Sequence, residues 1–222
     1  MSSSHYPFRN GLRRNGSLAL LLLASLFIAF TVTGTPAMAI EEPKFTVSLH
    51  EGDIEIRDYQ AAVAAEVTVT GDQGGAANKG FRLLAGYIFG GNKRHQSIAM
   101  TAPVAQKPVG EQIAMTAPVM QTASNGSWVV RFTMPGKYSL ATLPEPNDPR
   151  VKLSNVAPAR VAVIRFSGIA GSANVAARTV ELMAFVNSHH LRAVGPPSLA
   201  QYDPPWTLWF MRRNEVMIQL GQ

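Results

Sequence analysis

The stretch Ile98-Ala99-Met100-Thr101-Ala102-Pro103-Val104 returns, unchanged, as Ile113-Ala114-Met115-Thr116-Ala117-Pro118-Val119. Seven identical residues at an offset of 15 mark a local tandem duplication. Two copies of so short a unit do not make a solenoid. Within each copy Ile-x-Met-x-x-x-Val places apolar side chains at even spacing, the pattern of a strand with one buried face. Pro103 and Pro118 cannot donate to a ladder, so each belongs near a strand end, an edge or a bulge. One copy is therefore expected to hold a place in a sheet, and the other to lengthen the loop that leads into it.

Upstream of the duplication, Ala76 to Phe89 suits a helix. Ala77, Phe81, Leu84 and Ile88 form one stripe on a 3.6-residue period, and Gly90-Gly91-Asn92 ends it. Gly71 to Gly75 separates that helix from three alternating segments: Phe45 to Leu49, Ile54 to Tyr59, and Val63 to Thr70. Downstream, Trp128 to Met134 alternates again after a turn at Ala123 to Ser127. Leu143 to Pro149 carries three prolines in seven residues, a rigid connector. Val151 to Leu153 is a short strand. Ala159 to Phe166 is apolar on both faces, as in strands buried on both sides. Ser167 to Gly171 turns into a second helix with Ser172 as candidate N-cap. That helix runs to about His190, with Ala176, Val180, Met183 and Ala184 on one side and Leu182, Phe185 and Val186 widening the stripe. Gly195-Pro196-Pro197 breaks the chain, Ser198 to Tyr202 resumes as a strand, Asp203-Pro204-Pro205-Trp206 is a proline corner, and Val216, Ile218 and Leu220 form the apolar side of a last strand. The order is strand, strand, helix, strand, strand, twice over. It predicts an α+β fold with two pseudo-symmetric halves, antiparallel pairing and a helix on each half.

The N-terminus has a different character. Arg9, Arg13 and Arg14 precede an apolar run from Leu18 to Val32, and Ala37-Met38-Ala39 offers a small-residue cleavage site. Residues 1–39 are thus expected to be a signal peptide, and residues 40–222 the mature domain. The location expected is periplasmic or secreted. An uncleaved anchor is the rival, but the run falls short of the roughly 20 residues that span a bilayer. Arg13-Arg14 also admits twin-arginine export, although Asn15-Gly16-Ser17 fits that signal poorly. Without residues 1–39 the chain keeps 17 Lys+Arg against 14 Asp+Glu, and no dense basic run. Nucleic acid is not indicated, whereas mild basicity suits a ligand with carboxylates. The chain has no cysteine, which rules out disulfides, a lipidated cysteine, thiol catalysis and cysteine-ligated metal.

Four blocks carry a family resemblance: Glu55-Ile56-Arg57 with Tyr59; the helix Gly80 to Asn92; Ile113 to Val119; and Tyr202-Asp203-Pro204-Pro205-Trp206 with Arg212-Arg213-Asn214-Glu215-Val216. Pro146 to Pro149 and Arg165 to Gly168 add to them. In this order they resemble the SOUL haem-binding protein family over nearly the whole mature chain. The resemblance implies a two-fold pseudo-symmetric, distorted antiparallel β-barrel flanked by two helices. It also implies haem or another tetrapyrrole as a non-covalent ligand and kinship with small-molecule-binding effector domains; it does not imply an enzyme, and none is expected. In some relatives the position of Asp58 is a histidine suggested as an axial ligand. A carboxylate is a poor substitute for imidazole at haem iron.

The candidate cofactor-binding residues are His95, Met115, Trp206 and Arg212. His95 lies in the loop entering the duplication; a solvated histidine is its ordinary state. Met100 and Met115 have thioethers, although methionine on an alternating strand is usually core filling. Trp206 and Trp209, with Phe210, stand where a proline corner can rim a cleft, whereas Trp128 suits the core. Arg212 and Arg213 can meet anionic groups, as can Arg57 and Arg165 unless they form ion pairs in the sheet, with Glu215 one candidate partner. His50, His189 and His190 lack metal-ligand spacing. No G-x-S-x-G, H-E-x-x-H or P-loop is present. The leading expectation is an exported, soluble protein with a hydrophobic groove for a tetrapyrrole, for trapping or carriage. The rivals are a module for another apolar ligand, an envelope interaction protein without cofactor, and an unrecognised hydrolase.

Overall fold

The computed structural model describes residues 40–93, 110–204 and 206–221. The expected signal segment 1–39, the first heptapeptide copy, Met100 and His95 lie outside the described residues. Strand β1 (Phe45–Glu51) leads into the first half: β2 (Ile54–Tyr59), β3 (Ala62–Val69), α1 (Gln73–Ile88), the two-residue β4 (Asn92–Lys93), β5 (Val119–Ser124) and β6 (Ser127–Thr133). The second half is the two-residue β7 (Glu145–Pro146), then β8 (Lys152–Val156), β9 (Ala159–Phe166), α2 (Ser172–Ser188), β10 (Ala193–Gln201) and β11 (Asn214–Leu220).

Nine strands make one antiparallel sheet in the order β1-β2-β9-β11-β10-β5-β6-β3-β8. From β2 to β8 the order is symmetric about the β10–β5 boundary. The opening strand of each half has crossed to the other: β2 pairs with β9, and β8 pairs with β3. This exchange ties the halves together by backbone ladders. The order has two ends, β1 and β8, and no ladder joins them among the described residues, so the sheet is seen as open and not as a closed barrel.

Both helices lie on one face. At the central boundary Leu199 of β10 stands opposite Gln121 of β5. The Gln121 amide donates to the carbonyl of Gln73 in α1 at 2.7 Å, while Leu199 belongs to the core beneath α2. Directly opposed residues share a face. Under α1 the core is built from Val67, Leu84, Ile88, Val130 and Phe132; under α2 it is built from Ile164, Leu182, Val186, Val216 and Ile218. Alternate residues of the same strands point the other way. Val161, Val163, Ala200 and Met217 form a third cluster, flanked by Tyr59, Met120 and Tyr202. β9 is thus apolar on both faces because both faces are covered, as its sequence implies.

Several boundaries differ from the sequence expectation, each for a local reason. α1 begins three residues early because Asp72 caps it: its carboxylate accepts from the Gly75 amide at 2.8 Å. α2 is capped by Gly171 rather than Ser172, with no side-chain bond. Its buried side holds Leu182 and Val186, with Val175 and Met183 packed beside them, while Val180, Ala176 and Ala184 face outward. Alanine and valine surround this helix, so its period was ambiguous. Gly195-Pro196-Pro197 does not end a strand; it sits in a register shift of β10 between Val194 and Ser198, where prolines need not donate. The leader 40–43 is not free. The Glu41 carbonyl accepts from Ala117 N–H at 3.0 Å and its carboxylate from Gly136 N–H at 2.8 Å.

The second heptapeptide copy runs extended into β5 without being a ladder strand. Ile113 is buried and donates its amide to the Ile88 carbonyl at 2.8 Å. The Thr116 hydroxyl donates to the Thr133 carbonyl. The peptide Ala117–Pro118 is cis, and ladder pairing starts at Val119, directly after the proline. Asn92 clasps the two ends of the segment that carries the first copy: its amide donates to the Glu111 carbonyl and its oxygen accepts from the Glu111 N–H, both at 2.8 Å.

Glycine marks where α1 comes closest to the sheet. A Cβ added at Gly80 would lie 2.5 Å from Cβ and Cγ2 of Val130, a stiff β-branched residue on β6. At Gly86, on the exposed side of the same helix, it would meet nothing within 4 Å. Gly80→Ala should therefore lower stability by about 1–3 kcal/mol in urea denaturation, and Gly86→Ala should raise it by up to about 1 kcal/mol. Equal effects would contradict this packing.

Candidate functional site

On the face away from the helices, β11 places Glu215 at the sheet centre, between outward neighbours Ala200 of β10 and Arg165 of β9. Glu215 is fully buried. A buried carboxylate is costly unless paired and hydrogen-bonded, and this one is bonded from every side. Arg57 of β2 grips it with both terminal nitrogens, at 2.8 and 3.1 Å. Arg213 donates to it from Nε and Nη2 at 3.1 and 2.9 Å, and the Tyr202 hydroxyl at 2.7 Å. The arginines are shared outward. Arg57 donates to Glu55 at 2.6 Å and to the Tyr59 hydroxyl at 3.1 Å, with its guanidinium 4.5 Å from the centre of the Phe45 ring. Arg213 reaches Glu42 at 3.0 Å and lies 3.7 Å over the Tyr202 ring.

Burial alone would raise the Glu215 pKa, but the hydrogen bond and charge of Arg57, with help from Tyr202 and Arg213, hold it below the usual carboxylate range. The same burial and the Glu215 charge push the Tyr202 hydroxyl far up, so it stays protonated as a donor.

Through Arg213 this network reaches the wall of a cleft of about 410 Å³ at the ends of β9 and β11. Its lining includes four arginines, Arg165, Arg178, Arg212 and Arg213, with Asp53, Ser167, Phe166, Phe210 and Met211. Arg178 pairs with Glu181 at 2.8 Å, and Arg212 donates to the Thr207 carbonyl at 2.8 Å. The exposed Arg165 guanidinium has no ion pair or side-chain hydrogen bond among the described residues. The cleft is therefore cationic, not the hydrophobic groove expected, because the β9 and β11 ends supply arginines where an apolar alternation would have continued. Next to it, Trp206, Leu208, Trp209, Phe210 and Met211 are all between 54% and 83% exposed. Trp209 and Phe210 meet edge to face, with ring centres 5.6 Å apart. A second cavity, of about 310 Å³, opens beside Glu41, Lys44, Thr116 and Tyr138 at the anchored leader, without comparable concentration of charge.

The sequence-derived candidates are thus dispersed. Arg212 lines the cleft and Trp206 tops the adjoining ridge. Met115 is partly buried against the core beneath α1 and does not line the cleft. Asp58 stands opposite Arg160 in the β2–β9 ladder, their charged groups 3.9 Å apart. Trp128 packs at the core edge, its indole N–H donating to the Gly71 carbonyl at 3.1 Å. The Arg57–Glu215 pair is the ion pair anticipated. Arg178 and Met211 were missed: Arg178 sits on a solvated helix face and Met211 in a run without a period, so only the tertiary fold brings them to Arg165. No group of three or more His, Asp or Glu suited to a metal ion occurs among the described residues.

Residues 40–219 match the model of the SOUL heme-binding protein family. The chain belongs to that family. No curated protein matches it in sequence. Among solved structures, the SOUL chain is similar to a hydrolase from Listeria innocua at 14% identity and TM-score 0.53, covering 76% of this chain and 92% of that one. A second hydrolase from Listeria innocua matches at 13% identity and TM-score 0.51, over 78% and 94%. The C-terminal domain of EcmrR matches at 10% and 0.50, over 76% and 97%. At these identities the likeness is one of fold.

Glu215→Leu leaves two arginines facing each other beside apolar residues and should cost about 3–5 kcal/mol in chemical denaturation. Adding Arg57→Met should recover part of that loss. With its folded pKa depressed, Glu215 contributes stability that is present above its unfolded pKa of about 4.3 and is lost as pH falls through the folded value. Wild type should destabilise on acidification below about pH 4 more steeply than the double variant; parallel acid profiles would contradict the assignment.

Proposed function

We propose that this SOUL protein binds haem or a related tetrapyrrole non-covalently, and that it traps or carries the ligand outside the cytoplasm. The observation behind the reading is the arginine-lined cleft with Phe210 and Met211 in its wall and Trp209 beside them. The residues present fit the group. Tetrapyrrole carboxylates suit guanidinium forks, which bind planar anions in a bidentate manner. The flat macrocycle suits aromatic faces. A tetrapyrrole would seat its acidic edge among Arg165, Arg178 and Arg212 and rest its ring on Trp209 and Phe210. For iron, Met211 is the soft donor of the lining, and thioether ligation is known at haem. Haem would supply the redox and ligand-exchange chemistry; the chain supplies charge, a ring platform and partial shielding from water.

We read the protein as a binder rather than an enzyme. The cleft holds Ser167 and Asp53 but, among the described residues, no histidine to pair with them as a base. Export rests on the signal-like residues 1–39.

Titration of the chain from Ile40 with haemin should give a saturable Soret shift. Arg165→Gln with Arg178→Gln should weaken binding by tenfold or more, since each charge-assisted bond is worth about 1.5–3 kcal/mol. Met211→Leu should alter the spectrum of the bound species. The absence of a saturable shift in wild type would overturn the reading, and a shift unchanged in the double arginine variant would move the ligand away from this cleft.

A further inference from the structure

Five large apolar side chains within six consecutive positions, Trp206 and Leu208 to Met211, stand more than half exposed. Such a run is unusual on a soluble surface and marks an interaction site. It is not a frayed end. The Thr207 amide donates to the Pro204 carbonyl at 3.0 Å and the Met211 amide to the Leu208 carbonyl at 2.9 Å, and β10 and β11 hold both ends in the sheet. The ridge is therefore a braced projection. Ile169 is 65% exposed in the turn after β9, and Asn214 at the start of β11 ties that turn to the ridge through a bond to the Gly168 carbonyl at 3.0 Å.

The lining of the cleft beside the ridge holds four arginines and one acid. Arg165, Arg178, Arg212 and Arg213 line the neighbouring cleft. Facing acids are Asp53 in the lining, Glu181 on Arg178, and Glu42 and Glu215 on Arg213. Arg165 is exposed and has no ion-pair partner among the described residues. Tryptophan, leucine and phenylalanine flanked by arginine match the two layers of an anionic bilayer surface: apolar side chains reach the acyl boundary while guanidinium groups stay at the phosphates.

We propose that the Trp206–Met211 ridge docks the protein reversibly on membranes rich in anionic phospholipid, with Arg165 and its neighbours at the headgroups. The contact is through the ridge alone; no helix of the described residues is long and apolar enough to cross a membrane. It does not depend on tetrapyrrole binding, because Trp206 and Leu208 lie outside the cleft lining.

The test uses the chain from Ile40, which contains all three cores and every ladder of the sheet. It is sedimented with vesicles of phosphatidylcholine, with and without phosphatidylglycerol. Binding should require phosphatidylglycerol and fall as salt rises. Trp206→Ala with Leu208→Ala should reduce partitioning about tenfold or more, leaving the melting temperature and any haemin titration unchanged. Arg165→Gln should reduce it about fivefold. Equal binding to neutral vesicles, or a ridge variant that binds like wild type, would overturn the proposal. So would a ridge-dependent dimer in sedimentation velocity with no vesicle binding, which would assign the ridge to a second copy of the chain. Loss of haemin binding with vesicle binding intact would leave the inference standing and remove only the ligand reading.

Discussion

The structure is organised around a carboxylate that cannot be left alone. Glu215 is fully buried on the face of the sheet away from the helices, and five donor contacts from Arg57, Arg213 and Tyr202 offset its desolvation. These donors come from different parts of the chain. Arg57 belongs to β2, the strand that has crossed from the first half, whereas Tyr202 and Arg213 flank the last two strands. The cluster therefore joins the halves where the strand exchange also joins them. Because Arg213 also reaches Glu42, the anchored leader is drawn into the same network. Removing one member does more than delete a bond, since it leaves the others buried and unpaired.

That constraint prepares the cleft. Arg213 is held by two acids and a tyrosine ring, so its position is set before any ligand arrives. Arg165, directly across from Glu215 in the β9–β11 ladder, is exposed and has no ion pair among the described residues. An anion approaching the end of these strands meets a preorganised guanidinium and an available one. Preorganisation reduces the ordering cost of binding. The ridge adds apolar area next to that charge, and the combination favours amphiphilic anions over small inorganic ones. The likeness to two hydrolases and to the EcmrR C-terminal domain is one of backbone, and the side chains of this cleft decide its chemistry.

Much of the fold was legible in the sequence. Alternation placed β2, β3, β6, β9 and β11 nearly to the residue, because each strand has one strongly apolar face or two. The repeated strand–strand–helix–strand–strand order is present, but the crossing of β2 and β8 between halves has no sequence period and could not be read. α2 was misrotated since alanines and valines surround it, and β10 was truncated because its prolines are accommodated by a register shift. The second copy of the duplication leads into the sheet, but its ladder starts only at Val119, after Pro118; the first copy lies outside the described residues. The site was partly legible. Glu215 was one candidate partner for Arg57 and Arg165, and the structure pairs it with Arg57; Arg212 and Trp206 both lie in one motif. The convergence of Arg165 and Arg178 depends on how the β9–α2 turn packs beside β11, which is tertiary information. Met115 illustrates the reverse: its motif drew attention, and its side chain fills the core under α1.

The most direct test of the account is to follow side-chain resonances while a diamagnetic tetrapyrrole is added to the chain from Ile40. The account predicts that the Arg165 and Arg178 Nε–H signals and the Met211 methyl signal move together and saturate at one ligand concentration. A saturable response confined to the Met115 methyl and the residues of α1, with these arginines unmoved, would contradict it.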